Sequence, residues 1–191
     1  MELAGRPSIQ WECPDLIQLD NKWVLLVSVN PGGPILGSGT MYFVGDFDGM
    51  EFKADALDYP LWLDYGMDNY AGVTWSNTGE RKVMIGWMNN WQYAGSVPCS
   101  PWRSAMTLPR ELKLTEYNGS FSIPSMQAPL NVSGNTVTLD LFVDQSSVEL
   151  ISNDGAMSMT NLVFPQTIYD HCIITGADCE VQCRRLTSIW N

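Results

Sequence analysis

The chain is expected to be all-β, a propeller or a sandwich, and three observations point there. Short runs rich in β-branched and aromatic residues recur along it: Lys22-Trp23-Val24-Leu25-Leu26-Val27-Ser28-Val29, Gly39-Thr40-Met41-Tyr42-Phe43-Val44-Gly45, Gly72-Val73-Thr74-Trp75, Arg81-Lys82-Val83-Met84-Ile85-Gly86-Trp87-Met88 and Thr136-Val137-Thr138-Leu139-Asp140-Leu141-Phe142-Val143. Turn-forming clusters bound these runs, among them Asn30-Pro31-Gly32-Gly33-Pro34, Asp48-Gly49, Asn77-Thr78-Gly79, Ser133-Gly134-Asn135 and Asn153-Asp154-Gly155. No apolar stripe of 3.6-residue period extends over a helical length.

Seven of the eight tryptophans precede Leu112, and only Trp190 follows it. That change of character places a boundary after the Pro109-Arg110-Glu111-Leu112 stretch, between a loop-rich, aromatic, site-bearing domain over residues 1–115 and a domain of alternating strands over 116–191.

With 191 residues and 45% of them apolar, the chain is long enough to bury a core. Its formal charge of −11, with the ten Lys and Arg scattered, argues against nucleic acid and anionic membranes as partners and leaves neutral ligands such as sugars unopposed. No apolar run approaches the roughly 20 residues that span a bilayer, and Met1-Glu2-Leu3-Ala4-Gly5-Arg6 lacks a signal-peptide pattern. The five cysteines include Cys172-x6-Cys179-x3-Cys183, but with His171 as the single histidine they match no zinc motif and are read as free or buried thiols. One histidine also argues against a Ser-His or Cys-His triad. No metal or organic cofactor is implied.

The residue that carries chemistry is Glu12, in Trp11-Glu12-Cys13-Pro14-Asp15-Leu16. Partial burial against Trp11 and Cys13 would favour its protonated form, which a general acid needs. Asp15, three positions on, would sit on the opposite face of an unbroken strand and about 10 Å away, too far to act with Glu12.

"WECPDL" resembles the acid/base signature of glycoside hydrolase family 32, the β-fructosidases that include invertases, levanases and inulinases. Asp64-Tyr65-Gly66-Met67-Asp68-Asn69-Tyr70-Ala71 resembles that family's "DxGxDxYA". Ile85-Gly86-Trp87-Met88-Asn89-Asn90-Trp91-Gln92-Tyr93-Ala94 and the stretch from Pro101 to Leu112 are similar to its later propeller strands. Leu141-Phe142-Val143-Asp144-Gln145-Ser146-Ser147-Val148-Glu149-Leu150 resembles its C-terminal sandwich, and Leu186-Thr187-Ser188-Ile189-Trp190 its usual ending.

The resemblance implies the last two to three blades of a five-bladed β-propeller followed by a shortened β-sandwich. It implies a retaining glycosidase that releases terminal fructose from sucrose, levan or inulin, with Glu12 as general acid and then base. Asp64 and Asp68 would hydrogen-bond fructose hydroxyls or hold Glu12 in place. Trp87 and Trp91 would offer apolar faces to the ring or serve the propeller core, while Trp11, Tyr65 and Tyr70 would belong to the core.

In two respects the sequence departs from the family. The nucleophilic aspartate of the "WMNDPNG" motif and the acid of the "RDP" motif should precede the glutamate, and neither is among residues 1–11. Trp87-Met88-Asn89-Asn90-Trp91 echoes "WMNDP", yet Asn90 is an amide and the match is read as coincidence. The sandwich is also short between Met126 and Asn131. An incomplete ring exposes strand edges, so self-association into a homo-oligomer is expected. The alternative is a non-catalytic sugar-binding module or inactive fragment. Asn118-Gly119-Ser120 and Asn131-Val132-Ser133 are formal glycosylation acceptors. Family habit suggests a secreted or periplasmic home.

Overall fold

The computed structural model describes residues 9–57, 59–114, 136–152, 155–175 and 179–187. Among them the regular structure is β, with no α-helix and one turn of 3₁₀ helix at Ala94–Ser96. The all-β expectation holds. Both formal glycosylation acceptors, the abbreviated stretch between Met126 and Asn131 and the end of the Leu186–Trp190 motif lie outside the described residues.

The first sheet runs β1 (Gln10–Leu19), β2 (Lys22–Asn30), β3 (Gly39–Phe47) and β4 (Phe52–Ala54), antiparallel and in chain order, with β5 (Leu61–Trp62) also paired to β3. Its continuous apolar runs serve two cores. Val24 and Leu26 enter one core with Ile17, Val44 and Met84, and Val27 and Val29 enter a second with Met41 and Phe43. The central strand β2 is therefore covered on both faces.

The second sheet is β6 (Tyr70–Thr74), β7 (Val83–Met88) and β8 (Ala105–Met106), with β9 (Arg110–Glu111) also on β7. Met84 of β7 completes the core of the first sheet, so the two stack face to face with β6 against β1. The third sheet is β10 (Leu139–Val143), β11 (Ser147–Ser152) and β12 (Met157–Leu162), antiparallel in chain order.

Register fixes which face of the third sheet meets the rest. Glu149 lies opposite Thr160 and Ile151 opposite Ser158, so Glu149, Ser158 and Thr160 share a face, and all three are buried. The other face carries Leu139, Leu141 and Val143 of the edge strand β10, each at least half exposed.

Candidate active site

Glu12 lies at a break in β1. It pairs with Ser28 and Asp15 pairs with Leu26, so β1 has one more residue than β2 in this interval, a β-bulge. Cys13 takes the extra residue's conformation at φ +47°, and Pro14, which has no N–H to give, is tolerated because β1 is an edge strand. The bulge corrects the expected geometry of Asp15. Ser28 and Leu26 are two apart on β2, so Glu12 and Asp15 face the same way, displaced by about 7 Å along the strand.

That shared face looks onto β6, which has its own register shift between Tyr70 and Val73, with Ala71 at φ +49°. The two irregular strands are joined side chain by side chain. The Tyr70 hydroxyl donates to Glu12 Oε2. The Ala71 N–H donates to Ser28 Oγ at 3.0 Å, and the Thr74 N–H and Oγ1 both donate to Asp15 Oδ2 at 2.8 Å. Glu12 is exposed rather than sheltered by Trp11 and Cys13, which are exposed too. The group that holds it is the buried phenol of Tyr70, whose proton is retained well above the usual tyrosine range by burial and by the Glu12 carboxylate beside it.

From Tyr70 an aromatic path leads outward. Its ring meets Trp87 edge-on at 6.2 Å, and Trp87 meets Trp91 at 5.1 Å. Trp87 is half-buried, whereas Trp91 is 58% exposed and free to present a face. The structure thus brings Glu12, Trp87 and Trp91 into one neighbourhood, with Tyr70 as the link. Trp11 stacks on Phe43 at 5.6 Å.

The loop that carries Trp91 is pinned by Asn90, a fully buried amide. Its Oδ1 accepts from the Ser38 and Gln92 N–H groups, and its Nδ2 donates to the carbonyls of Ser38 and Met67. Every hydrogen-bonding position of the amide is engaged. The same loop is tied again where the Trp91 N–H donates to Ser38 Oγ at 3.1 Å.

Asp64 and Asp68 are placed elsewhere. Both are buried and both face β12. Asp64 Oδ1 accepts from the Gly66 and Thr160 N–H groups at 2.8 Å, and Oδ2 meets Arg110 Nη1 and Thr160 Oγ1 at 2.7 Å, with Ser158 Oγ at 3.1 Å. Arg110 Nη2 reaches on to Glu149 Oε2 at 2.7 Å, making a buried acid–base–acid triad between the second and third sheets. Burial alone would raise the Asp64 carboxyl, but the Arg110 guanidinium and the hydrogen bonds outweigh it and hold it below its ordinary value. Asp68 Oδ2 accepts from the Leu162 N–H at 2.7 Å and Oδ1 from the Tyr93 hydroxyl; burial wins there and raises it.

The loop between these aspartates behaves as an extra strand on the edge of β12. The Tyr65 N–H donates to Ser158 O at 2.9 Å and the Asp68 N–H to Thr160 O at 3.0 Å. Gly66 sits where any Cβ would fall on the Thr160 backbone. The carboxylates supply the acceptors that this edge needs, and the glycine allows the approach.

Sequence reasoning did not assign Arg110, Glu149 or Tyr93 to these contacts, and it read Tyr70 as core only. Arg110 did carry a sign, as one of ten basic residues, standing between an apolar stretch and the domain boundary.

Comparison with known proteins completes the description. A family profile described as "Glycosyl hydrolases family 32 N-terminal domain" matches residues 2–123, and its C-terminal counterpart matches residues 72–180. The chain is 52% identical to a Bacillus subtilis levanase over 118 residues, which are 56% of this chain and 17% of the levanase. It is 45% identical to an Aspergillus niger extracellular exo-inulinase over 128 residues, 59% of this chain and 24% of that protein. The crystal structure of an Aspergillus awamori exo-inulinase superposes with a TM-score of 0.71 at 27% identity, covering 82% of this chain and 52% of that one. The chain therefore spans about a quarter or less of these two curated relatives.

Proposed function

As the chain belongs to glycoside hydrolase family 32, we propose that it is part of a β-fructosidase releasing terminal fructose from sucrose, levan or inulin by a retaining mechanism. The observation that carries this reading is the placement of Glu12. It is an exposed carboxylate held by a buried phenol, next to the Trp87–Trp91 pair.

In this reading protonated Glu12 gives its proton to the glycosidic oxygen as the bond to the fructosyl anomeric carbon breaks, the bonding pair leaving with that oxygen. A second carboxylate about 5 to 5.5 Å away takes the fructosyl group. Glu12, now ionised, removes a proton from the water that displaces the sugar, and is ready for another cycle. Tyr70 keeps the Glu12 carboxylate pointed at the leaving oxygen. Trp91, backed by Trp87, offers the apolar face against which the ring lies.

The second carboxylate is read as lying in the family's nucleophile motif, which the 191 residues do not contain. Asp15 shares the face of Glu12 but is committed to Thr74. That commitment favours a second reading, a sugar-binding module that does not turn over. Asp64 and Asp68 are assigned to the joint between sheets in place of the sugar contact expected from sequence, since their oxygens are taken by protein donors. Residues 1–115 are read as propeller and 116–191 as sandwich. An extracellular home is proposed from the name of the Aspergillus niger relative. Self-association through exposed blade edges is part of the reading, and a monodisperse monomer in solution would remove that part.

The test is fructose release from sucrose, inulin and levan by the folded chain beside Glu12→Gln. Activity abolished by Glu12→Gln supports a catalytic Glu12. Sugar binding with no release by either protein favours the binding module, and neither binding nor release overturns both.

A further inference from the structure

Asp68 divides its two oxygens between different parts of the molecule. Oδ2 holds the Leu162 N–H of the third sheet, and Oδ1 holds the hydroxyl of Tyr93, two residues beyond Trp91. Its own N–H adds a bond to Thr160 O, so Asp68 is tied to β12 through main chain and side chain together. Next to it, Met67 O accepts from Asn90 Nδ2 at 2.7 Å, and the Met67 N–H donates to Asn161 Oδ1 at 3.2 Å. Both residues thus bridge the β12 edge to the turn that carries Trp91. That turn is closed by the Tyr93 and Ala94 N–H groups donating to Asn90 O at 3.1 and 2.8 Å, which makes Asn90 to Ala94 move as a unit.

From these contacts we infer that the Asp64–Asp68 loop is a positioning element, through which docking of the β10–β12 sheet sets the placement of the Trp91 platform, with Asp68 as the shared acceptor. The physical ground is that Asp68 is only 1% exposed. A carboxylate so placed cannot exchange a lost protein donor for water, so if β12 withdraws, the loop must rearrange to find another. The Tyr93 phenol, held protonated by burial and by Asp68, has the same constraint and follows the carboxylate. Movement of Tyr93 and of the Asn90 amide carries Trp91 away from Trp87. The sandwich sheet then acts on sugar binding without touching sugar. The sugar-binding part of this inference rests on the function proposed above; the positioning part does not.

Two variants of the full chain test it, read by the indole N–H signals of the tryptophans in ¹⁵N NMR, with Trp91 assigned from Trp91→Phe. Tyr93→Phe cuts the link on the Trp91 side and leaves the β12 bonds in place. Glu149→Gln weakens the hold of Arg110 on β11 and leaves the loop's own residues unchanged. In both, the Trp91 signal is expected to move in the same direction, while those of Trp23 and Trp62 in the first sheet stay put. Tyr93→Phe is also expected to weaken binding of a β-linked fructose trisaccharide roughly three- to tenfold, the worth of one hydrogen bond. An unmoved Trp91 signal in Glu149→Gln overturns the coupling, as does a change that reaches every tryptophan equally. A Trp91 signal that moves as expected in a protein that binds no fructose trisaccharide supports the coupling and removes the proposed function instead.

Discussion

Glu12 and Tyr70 meet across two sheets because each stands at a flaw in its strand. β1 carries its bulge after Glu12, with Cys13 at φ +47°, and β6 shifts register after Tyr70, with Ala71 at φ +49°. Both flaws occur where the strands face one another, so the hydroxyl of one reaches the carboxylate of the other. Regular strands would turn successive side chains alternately, and Glu12 and Asp15 would not both address β6.

Tyr70→Phe removes this bond and little else, since the ring still fills its buried place against Trp87. Hydrogen bonds to charged groups contribute about 1.5–3 kcal/mol, but Glu12 is exposed and water replaces the phenol, so a loss near 1 kcal/mol is expected. Urea unfolding of the two proteins measures it. A loss of several kcal/mol would mean that the tyrosine supports far more than the glutamate.

At Gly66 the expected effect is larger. Alanine there places a methyl group on the Thr160 backbone, which cannot rotate aside, and overpacking of this kind costs typically 1–3 kcal/mol. Hydrogen exchange locates the damage. Amides of β12, Thr160 and Leu162 above all, should exchange faster in Gly66→Ala while those of β2 keep their protection. Equal acceleration in β2 would show that the third sheet is not a separable layer.

Much of this fold is legible from sequence, and particular residues show where legibility stops. β2, β3 and β7 announce themselves by runs of Val, Leu, Ile, Met and aromatics, because both of their faces are covered. The bulge at Cys13 does not. One added residue changes which face Asp15 occupies yet leaves the local composition of a strand intact, so spacing arithmetic put Asp15 on the wrong side. Asp64 and Asp68 were legible as special, through their spacing about a glycine, but not as interface residues. Their partners Ser158, Thr160 and Leu162 lie 94 to 96 positions away, and a carboxylate awaiting a sugar looks, in sequence, like one awaiting a strand edge.

Arg110→Ala should be among the most damaging single changes. It leaves Asp64 and Glu149 buried on either side of the vacated space with no counter-charge, and removing one partner of a buried pair costs about 3–5 kcal/mol. Asp64→Asn with Glu149→Gln in the same chain removes the charges that the arginine was holding apart. If the triad is read correctly, Arg110→Ala is less harmful in that background than in the wild type, and thermal unfolding of the four proteins gives the comparison. Strict additivity would show that Arg110 acts on neither acid.

The same triad makes docking of the third sheet sensitive to acid, with a sign set by Asp64. Its carboxyl is lowered in the folded protein: burial opposes this, but the Arg110 charge and the donors from Arg110, Thr160 and Gly66 prevail. A lowered folded value means that its stabilisation is complete above the unfolded carboxylate value of about 3.9 and is lost as pH falls below it toward the folded value. Asp68 has the opposite sign. Raised by burial, it favours the folded state at low pH, and that contribution declines as pH rises through its folded value. As pH falls from neutrality, Asp68 should therefore add stability on passing its raised folded value, and below about 4, where that gain is complete, the sheet should loosen through Asp64. Melting temperatures measured from neutral pH downward should fall more steeply in the wild type than in Asp64→Asn, and more steeply again in Asp68→Asn than in the wild type. Parallel curves for wild type and Asp64→Asn would mean that the acid response comes from carboxylates elsewhere on this acidic chain.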